Sequence, residues 1–193
     1  MHARRLAAAI ATAAVAFPAA AAPTTYTIDP SHTDVLVSWS HFGFSNPTIR
    51  FGDVEGTLTY DPQDPTASSV EVTLPLSGLQ TQSDEFNEHL ESGKWLDAGS
   101  YPEATFKSTS VAPAGEGRLE VTGDLTVHGQ TRPVTLDVTI NEVGEHPMRK
   151  VPAAGFAATT TLKRSDFGVG NYAPAVSDEV EVEITVEATA DKK

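Results

Sequence analysis

Glu179-Val180-Glu181-Val182-Glu183-Ile184-Thr185-Val186-Glu187 decides the fold. Every second residue is apolar and β-branched, and the residues between are charged or hydroxylated. Side chains alternate across a strand, so one extended segment acquires a greasy face and a wet face. The same period recurs elsewhere in the chain. Val134, Leu136, Val138 and Ile140 alternate with Thr135, Asp137 and Thr139, and Val70, Val72, Leu74 and Leu76 alternate with Glu71, Thr73 and Pro75. Val35, Val37 and Trp39 form a further run, as do Val54, Leu58 and Tyr60, and then Leu119, Val121, Leu125 and Val127. Residues 104–111 and 156–162 are shorter candidates. The count is about eight strands, several longer than the usual five or six residues.

Turn-forming residues separate the runs: Asp61-Pro62-Gln63-Asp64-Pro65, Ala114-Gly115-Glu116-Gly117 and His128-Gly129-Gln130-Thr131. Residues 83–92 depart from the two-residue period. Phe86 and Leu90 stand four apart behind an N-cap Ser83, with Asp84 and Glu85 in the first turn, so a short helix is expected there. Long strands with one apolar face need a second sheet or closure on themselves. The meander-like order favours closure, and an eight-stranded antiparallel barrel is wide enough for a solid core or one small ligand. Trp39, Phe42, Phe44, Phe51, Phe106, Phe156 and Phe167 supply the bulk for either.

Composition narrows the function. The chain has 193 residues, no Cys, 26 acidic and 13 basic residues, and a formal charge of −13. Without Cys there is no disulfide framework, no Cys-ligated metal and no thiol nucleophile. The acidic balance argues against a nucleic-acid partner. An outer-membrane barrel would carry aromatic girdles at both rims, but aromatics are 7% and do not cluster at strand ends. Residues 1–21 read as a secretory signal peptide: Arg4 and Arg5, an apolar run over 6–17, then Pro18 and a small-residue site ending at Ala21. Cleavage there leaves a single domain over 22–193. Loss of the two arginines takes the charge from −13 to −15. The expected location is the periplasm, or the extracellular space in a source without an outer membrane. No stable membrane insertion is expected.

The search for catalysis yields little. There is no Gly-x-Ser-x-Gly elbow, no phosphate-cradling loop and no His-Glu-x-x-His helix. His32, His41, His89, His128 and His146 show no two- or four-residue spacing, so no local metal clip exists, and no cofactor is implied. Asp29, His32 and His41 are the one set that folding could assemble into an enzymatic site. Asp61 and Asp64 lack the ligand ladder of a calcium loop.

Several motifs together carry a family resemblance. Asp29-Pro30-x-His32 is followed by His41-x-Gly43, then by Phe51 and Gly56, and by His89-Leu90. Later come Tyr101-Pro102-x-Ala104-Thr105-Phe106-x-Ser108 and the longest block, Gly123-Asp124-Leu125-Thr126-Val127-x-Gly129-x-Thr131-x-Pro133-Val134. Arg164-x-Asp166-Phe167-Gly168 precedes the last strand. In this order over residues 26–188, the chain resembles the YceI-type family of exported polyisoprenoid- and lipid-binding proteins. It departs at Thr33, where the family has Ser, and at Ile49, where it has Gly. It departs again at Phe86-Asn87 in place of Arg-Asp, and at Lys94-Trp95 in place of Asp-Phe. The last two flank the helix, where ligand choice would be set.

The resemblance implies a lipocalin-like eight-stranded antiparallel barrel with a helix over it and a long hydrophobic pore. It implies a non-catalytic carrier of a long-chain isoprenoid, quinone-like lipid or fatty-acid derivative. On that reading Val35, Val37, Trp39, Phe51, Leu58, Val72, Leu74 and Phe106 line the pore, and His41, His89 and Arg164 form its polar rim. A homodimer through strand pairing is a further expectation. The rival readings are an enzyme with a site at His32 and His41, and a solid-cored module that acts through protein partners.

Overall fold

The last strand, β11 (Glu179–Thr189), shows how the alternation is spent. Val180, Val182 and Ala188 are buried and Glu179, Glu181 and Glu183 are exposed, but Ile184 and Val186, on the inner face, keep part of their surface. The computed structural model, which describes residues 23–191, shows why: these inner faces surround a cavity.

The elements follow in the order β1 (Thr24–Ile28), β2 (Asp34–Ser38), β3 (Thr48–Phe51), β4 (Glu55–Tyr60), β5 (Ser69–Pro75), β6 (Leu79–Gln80), α1 (Asp84–Glu91), β7 (Glu103–Pro113), β8 (Arg118–Val127), β9 (Gln130–Glu145), β10 (Pro152–Lys163) and β11. All pairings are antiparallel. The ring runs β1-β4-β5-β7-β8-β9-β10-β11 and closes where β11 returns to β1. Residues directly opposite one another share a face, so Leu58 with Val70, Val72 with Phe106, Phe106 with Leu125, Val121 with Leu136 and Phe156 with Val186 form inward layers.

Three of the eight staves are interrupted. β1 and β2 both lie along β11, β4 and β3 lie beside them in turn, and β5 and β6 continue the series. The eight runs of alternation expected from the sequence therefore match eight staves, although β1, β3 and β6 carry too short a pattern to be foreseen. The break between β1 and β2 is a turn at Asp29-Pro30. There the buried Thr33 hydroxyl donates to the Glu187 carbonyl at 3.3 Å and accepts from the Glu187 N–H at 3.3 Å, replacing ladder bonds that the turn removes. A hydroxyl is what this position needs, and Thr meets the need. Gly123 is fixed by packing: a Cβ there would lie 2.5 Å from the Phe106 ring.

The helix α1 forms as its sequence requires. Ser83 Oγ accepts the Phe86 N–H at 3.3 Å, and Leu90 is buried against Ile49 and Leu79. The helix lies at the end of the barrel that carries the β2–β3, β8–β9 and β10–β11 connections; the opposite end carries the β4–β5, β7–β8 and β9–β10 turns. The signal expected over 1–21 lies outside the described residues. No helix among the described residues is long and apolar enough to cross a membrane.

Candidate functional site: an apolar pore with an aromatic collar

The inward residues of the staves do not fill the ring. They enclose a cavity of about 590 Å³ lined almost wholly by aliphatic and aromatic side chains. This lies within the roughly 300–1,000 Å³ of small-molecule sites. Among the described residues no large side chain is less than 2% exposed, as expected where the lining faces open space and not another layer. The solid-cored reading does not describe this interior.

Val35, Val37, Trp39, Phe51, Leu58, Val72, Leu74 and Phe106 all line the cavity, as do His41, His89 and Arg164. Many more residues join them. The same alternation on β8, β9 and β11 places Val121, Leu125, Leu136, Val138, Val182 and Ile184 in the lining. Those positions were legible by the rule that found the others. Leu90, Leu96, Trp95 and Tyr172 were not, because helix and loop residues carry no two-residue period.

At the helix end the lining becomes an arc of rings. Trp39 and Phe86 have centroids 6.3 Å apart, Phe86 and His89 6.2 Å, His89 and Trp95 5.5 Å, and Trp95 and Tyr172 6.0 Å. All five line the cavity, and His89 and Tyr172 are also exposed to solvent, so the arc surrounds a mouth. Lys94 Nζ sits 4.7 Å from the Tyr172 ring centroid and donates to its hydroxyl at 2.5 Å. Trp95 Nε1 is buried and has no hydrogen-bond partner among the described residues. An unpaired buried donor is costly, and this one is closed off from the cavity as well as from solvent, so it is a local cost of packing the collar.

Arg164 lies at this mouth, but most of its donors are already engaged. Nε donates to the Ser177 carbonyl at 2.9 Å, Nη1 to Val169 at 2.6 Å, and Nη2 to Val176 at 3.1 Å and Asn171 at 3.5 Å. It staples the β10–β11 connection to itself. Burial holds its pKa below the ordinary guanidinium value, with nearby Asp178 opposing that effect. Asp178 accepts from the Ser165 hydroxyl at 2.6 Å and the Ser165 N–H at 2.9 Å; chiefly the hydroxyl contact, despite some desolvation, holds its carboxyl below the usual range.

The enzymatic alternative does not assemble. His32 Nδ1 lies 3.2 Å from Asp29 Oδ2, but His41 belongs to the mouth, where it bridges Ser45 and Val176. Ligand atoms of Asp29, His32 and Glu187 lie within 4.8 Å of one another. Asp29 Oδ2 also takes Arg149 at 3.3 Å, so the cluster is an ion-pair network joining the β1–β2 turn to the β9–β10 turn. A backbone hydrogen bond from Ser31, together with His32 and Arg149, outweighs desolvation and holds the Asp29 pKa low.

The Phe residues divide. Phe51, Phe106, Phe156 and Phe167 face the interior. Phe44, counted with them in the sequence, is 92% exposed, and Phe42 is half-exposed at the mouth.

A YceI-like domain model matches residues 26–188, which is most of the chain. The chain belongs to the YceI family. It is 40% identical over 169 residues to a UPF0312 protein of Pseudomonas putida strain GB-1, covering 86% of this chain and 87% of that one. It is 38% identical over 177 residues to a UPF0312 protein of Vibrio cholerae, covering 91% and 92%. Among solved structures it resembles BcnA of Burkholderia cenocepacia, with a TM-score of 0.76 at 27% identity over 84% of this chain and 99% of that one. The Campylobacter jejuni YceI protein superposes with a TM-score of 0.71 at 25% identity over 79% and 90%. A Saccharophagus degradans domain described as polyisoprenoid-binding shares the fold, with a TM-score of 0.68 at 14% identity over 87% and 99%. Asp29-Pro30, Gly123 and Arg164, among the residues on which the sequence resemblance rests, fall at structural pivots: the β1–β2 turn, the contact with Phe106, and the staple of the β10–β11 connection.

Proposed function

We propose that this YceI-family protein is a non-catalytic carrier of a long-chain apolar lipid, an isoprenoid, quinone-like lipid or fatty-acid derivative held in the barrel pore. The observation that carries this reading is the cavity of about 590 Å³ with its nearly unbroken apolar lining. Each methylene buried there contributes roughly 0.8 kcal/mol, so a long tail binds tightly with few polar contacts. The polyisoprenoid-binding description of the Saccharophagus degradans domain points to the same class of ligand. The head group belongs at the collar, where the His89 ring lies 5.5 Å from the Trp95 ring and the Lys94 ammonium 4.7 Å from the Tyr172 ring.

The signal-like segment over 1–21 supports export to the periplasm, where a carrier of this kind would move lipid through water. Native mass spectrometry of protein purified without added lipid, with solvent extraction of the same sample, tests the reading. A co-purifying lipid, or stoichiometric uptake of a prenyl or fatty chain, is the expected result. Protein that is ligand-free and refuses both chains would overturn it. The same spectra report whether the protein is a homodimer, and sequencing of the mature N-terminus reports whether cleavage follows Ala21.

A further inference from the structure

The exposed aromatics are not spread evenly. Of the four exposed Phe and Tyr side chains among the described residues, Phe42, Phe44 and Tyr172 lie on two connections at the mouth, and Tyr101, the least exposed, precedes β7. Those connections are joined into one lip: Phe42 N–H donates to the Ala175 carbonyl at 3.0 Å, Ser177 N–H donates to the Ser40 carbonyl at 2.9 Å, and His41 bridges Val176. The two connections carry no charged residue of their own; the cations that touch them are Lys94, on the Tyr172 ring, and Arg164, whose guanidinium is bound to backbone carbonyls. No acidic, Lys or Arg residue occurs between Asp34 and Arg50, or between Asp166 and Asp178, in a chain that is 20% charged. The turns at the opposite end instead hold Asp61 and Asp64, Glu116 and Arg118, and Glu145, Arg149 and Lys150.

We propose that this lip is a docking surface for a lipid bilayer, through which the pore is loaded and emptied. The proposal rests on the carrier reading and extends it to the donor of the cargo. Phe42 and Tyr172 belong both to the cavity lining and to the exposed lip, so the apolar surface is continuous from pore to exterior. A long-chain lipid cannot cross open water cheaply, because each exposed methylene is penalised. The mouth must therefore meet an apolar phase while the tail passes. Aromatic rings with a polar edge suit the interfacial layer of a bilayer. A protein partner seated on the same lip would cap the pore. The first helix, with Asp84, Glu85, Glu88 and Glu91, stands beside the lip and packs Phe86 against Trp39. Those carboxylates select against anionic lipid. The target is therefore a neutral or zwitterionic surface, touched reversibly.

The test exploits the absence of Cys. Phe44→Cys and, as a control at the opposite end, Met148→Cys each take one polarity-sensitive dye. Phosphatidylcholine vesicles should shift the emission at position 44 and leave position 148 unmoved. Vesicles of phosphatidylcholine and phosphatidylglycerol in equal parts should give a smaller shift. Phe44 does not line the cavity, so Phe44→Asp should take up a pyrene-labelled fatty acid from detergent as the parent does. Its transfer of that probe to and from phosphatidylcholine vesicles should slow by about tenfold, since burying a Phe side chain is worth that much or more. Equal transfer by Phe44→Asp and the parent would overturn the docking proposal and leave the carrier reading standing. A lip dye that responds to self-association and not to vesicles would overturn it as well. If the parent takes up no probe from detergent, the carrier reading itself fails.

Discussion

The two ends of this barrel are made of the same strands and behave as different materials. At the end of the β4–β5 and β9–β10 turns, Tyr26, Ile28, Tyr60, Leu119, Val138 and Phe156 pack into one cluster, and Tyr60 and Phe156 meet edge to face at 5.6 Å. Charged turns and ion pairs such as Arg149 with Asp29 surround it. At the helix end the buried residues fall into three smaller clusters, and the connections are held by backbone bonds and by Arg164. Of the buried cluster at the first end, only Tyr26, Ala154 and Ala188 lie outside the cavity lining; the others close the pore off from the turns. The second end differs in opening to solvent through its collar. A closed sheet permits this division because the backbone ladder holds the ring together whether or not the inward side chains touch.

The largest expected effect is a truncation below the pore. Tyr26 is 4% exposed and lies outside the cavity lining, so Tyr26→Ala should cost about 3–5 kcal/mol in urea unfolding. Phe51→Ala faces space that is already open and should cost well under half as much. Equal losses at the two positions would erase the distinction drawn above. Arg164→Met should cost about 3 kcal/mol, because four charge-assisted contacts vanish and buried carbonyls lose their partner. Hydrogen exchange should rise over residues 169–176 and stay unchanged in β9.

Leu74→Trp sharpens the functional side. A larger ring projecting into the cavity should change stability by less than about 1.5 kcal/mol, since there is room for it, yet cut lipid uptake at least tenfold. Loss of stability with unchanged uptake would mean that the pore is not the binding site. The smallest effect concerns acid. Asp178 and Asp29 both have folded pKa values below the ordinary carboxylate range of about 3.9. Their stabilising contribution is therefore complete above that range and lost as pH falls through the lower folded values. Asp178→Asn should lose about 1 kcal/mol at neutral pH, with partial exposure limiting the effect, and should show a shallower acid limb than the parent. Parallel acid limbs would count against the Ser165 contact as the cause.

How much of this was readable in the chain varies by element. β11 and β9 were plain, because long alternation survives any local perturbation. The helix was plain from Ser83, Phe86 and Leu90. β3 and β6 were not, because four and two residues carry too little periodicity, and β1 was not, because it sets only Tyr26 and Ile28 against threonines, while β2 of equal length is marked by Val35 and Val37 running on to Trp39. Position on a strand predicted which way Val35, Val72 and Phe106 face. Nothing in the order of residues predicted that Trp95 and Tyr172 would meet, since they come together only when the helix and the β10–β11 connection converge on one mouth. Phe44 shows the converse: hydrophobic character placed it among core candidates, and the loop turned it outward.

The all-β class, the eight staves, the capped helix and the identity of most inward faces are written in the order of residues. These follow from periods of two and of about 3.6 residues, which are local properties of a backbone. Folding in three dimensions is what leaves a cavity between the inward faces, brings rings from four segments into a collar, and commits Arg164 to the loop it holds. Whether opposing side chains touch depends on the radius and closure of the ring, a distance set by every strand together and written in none of them alone.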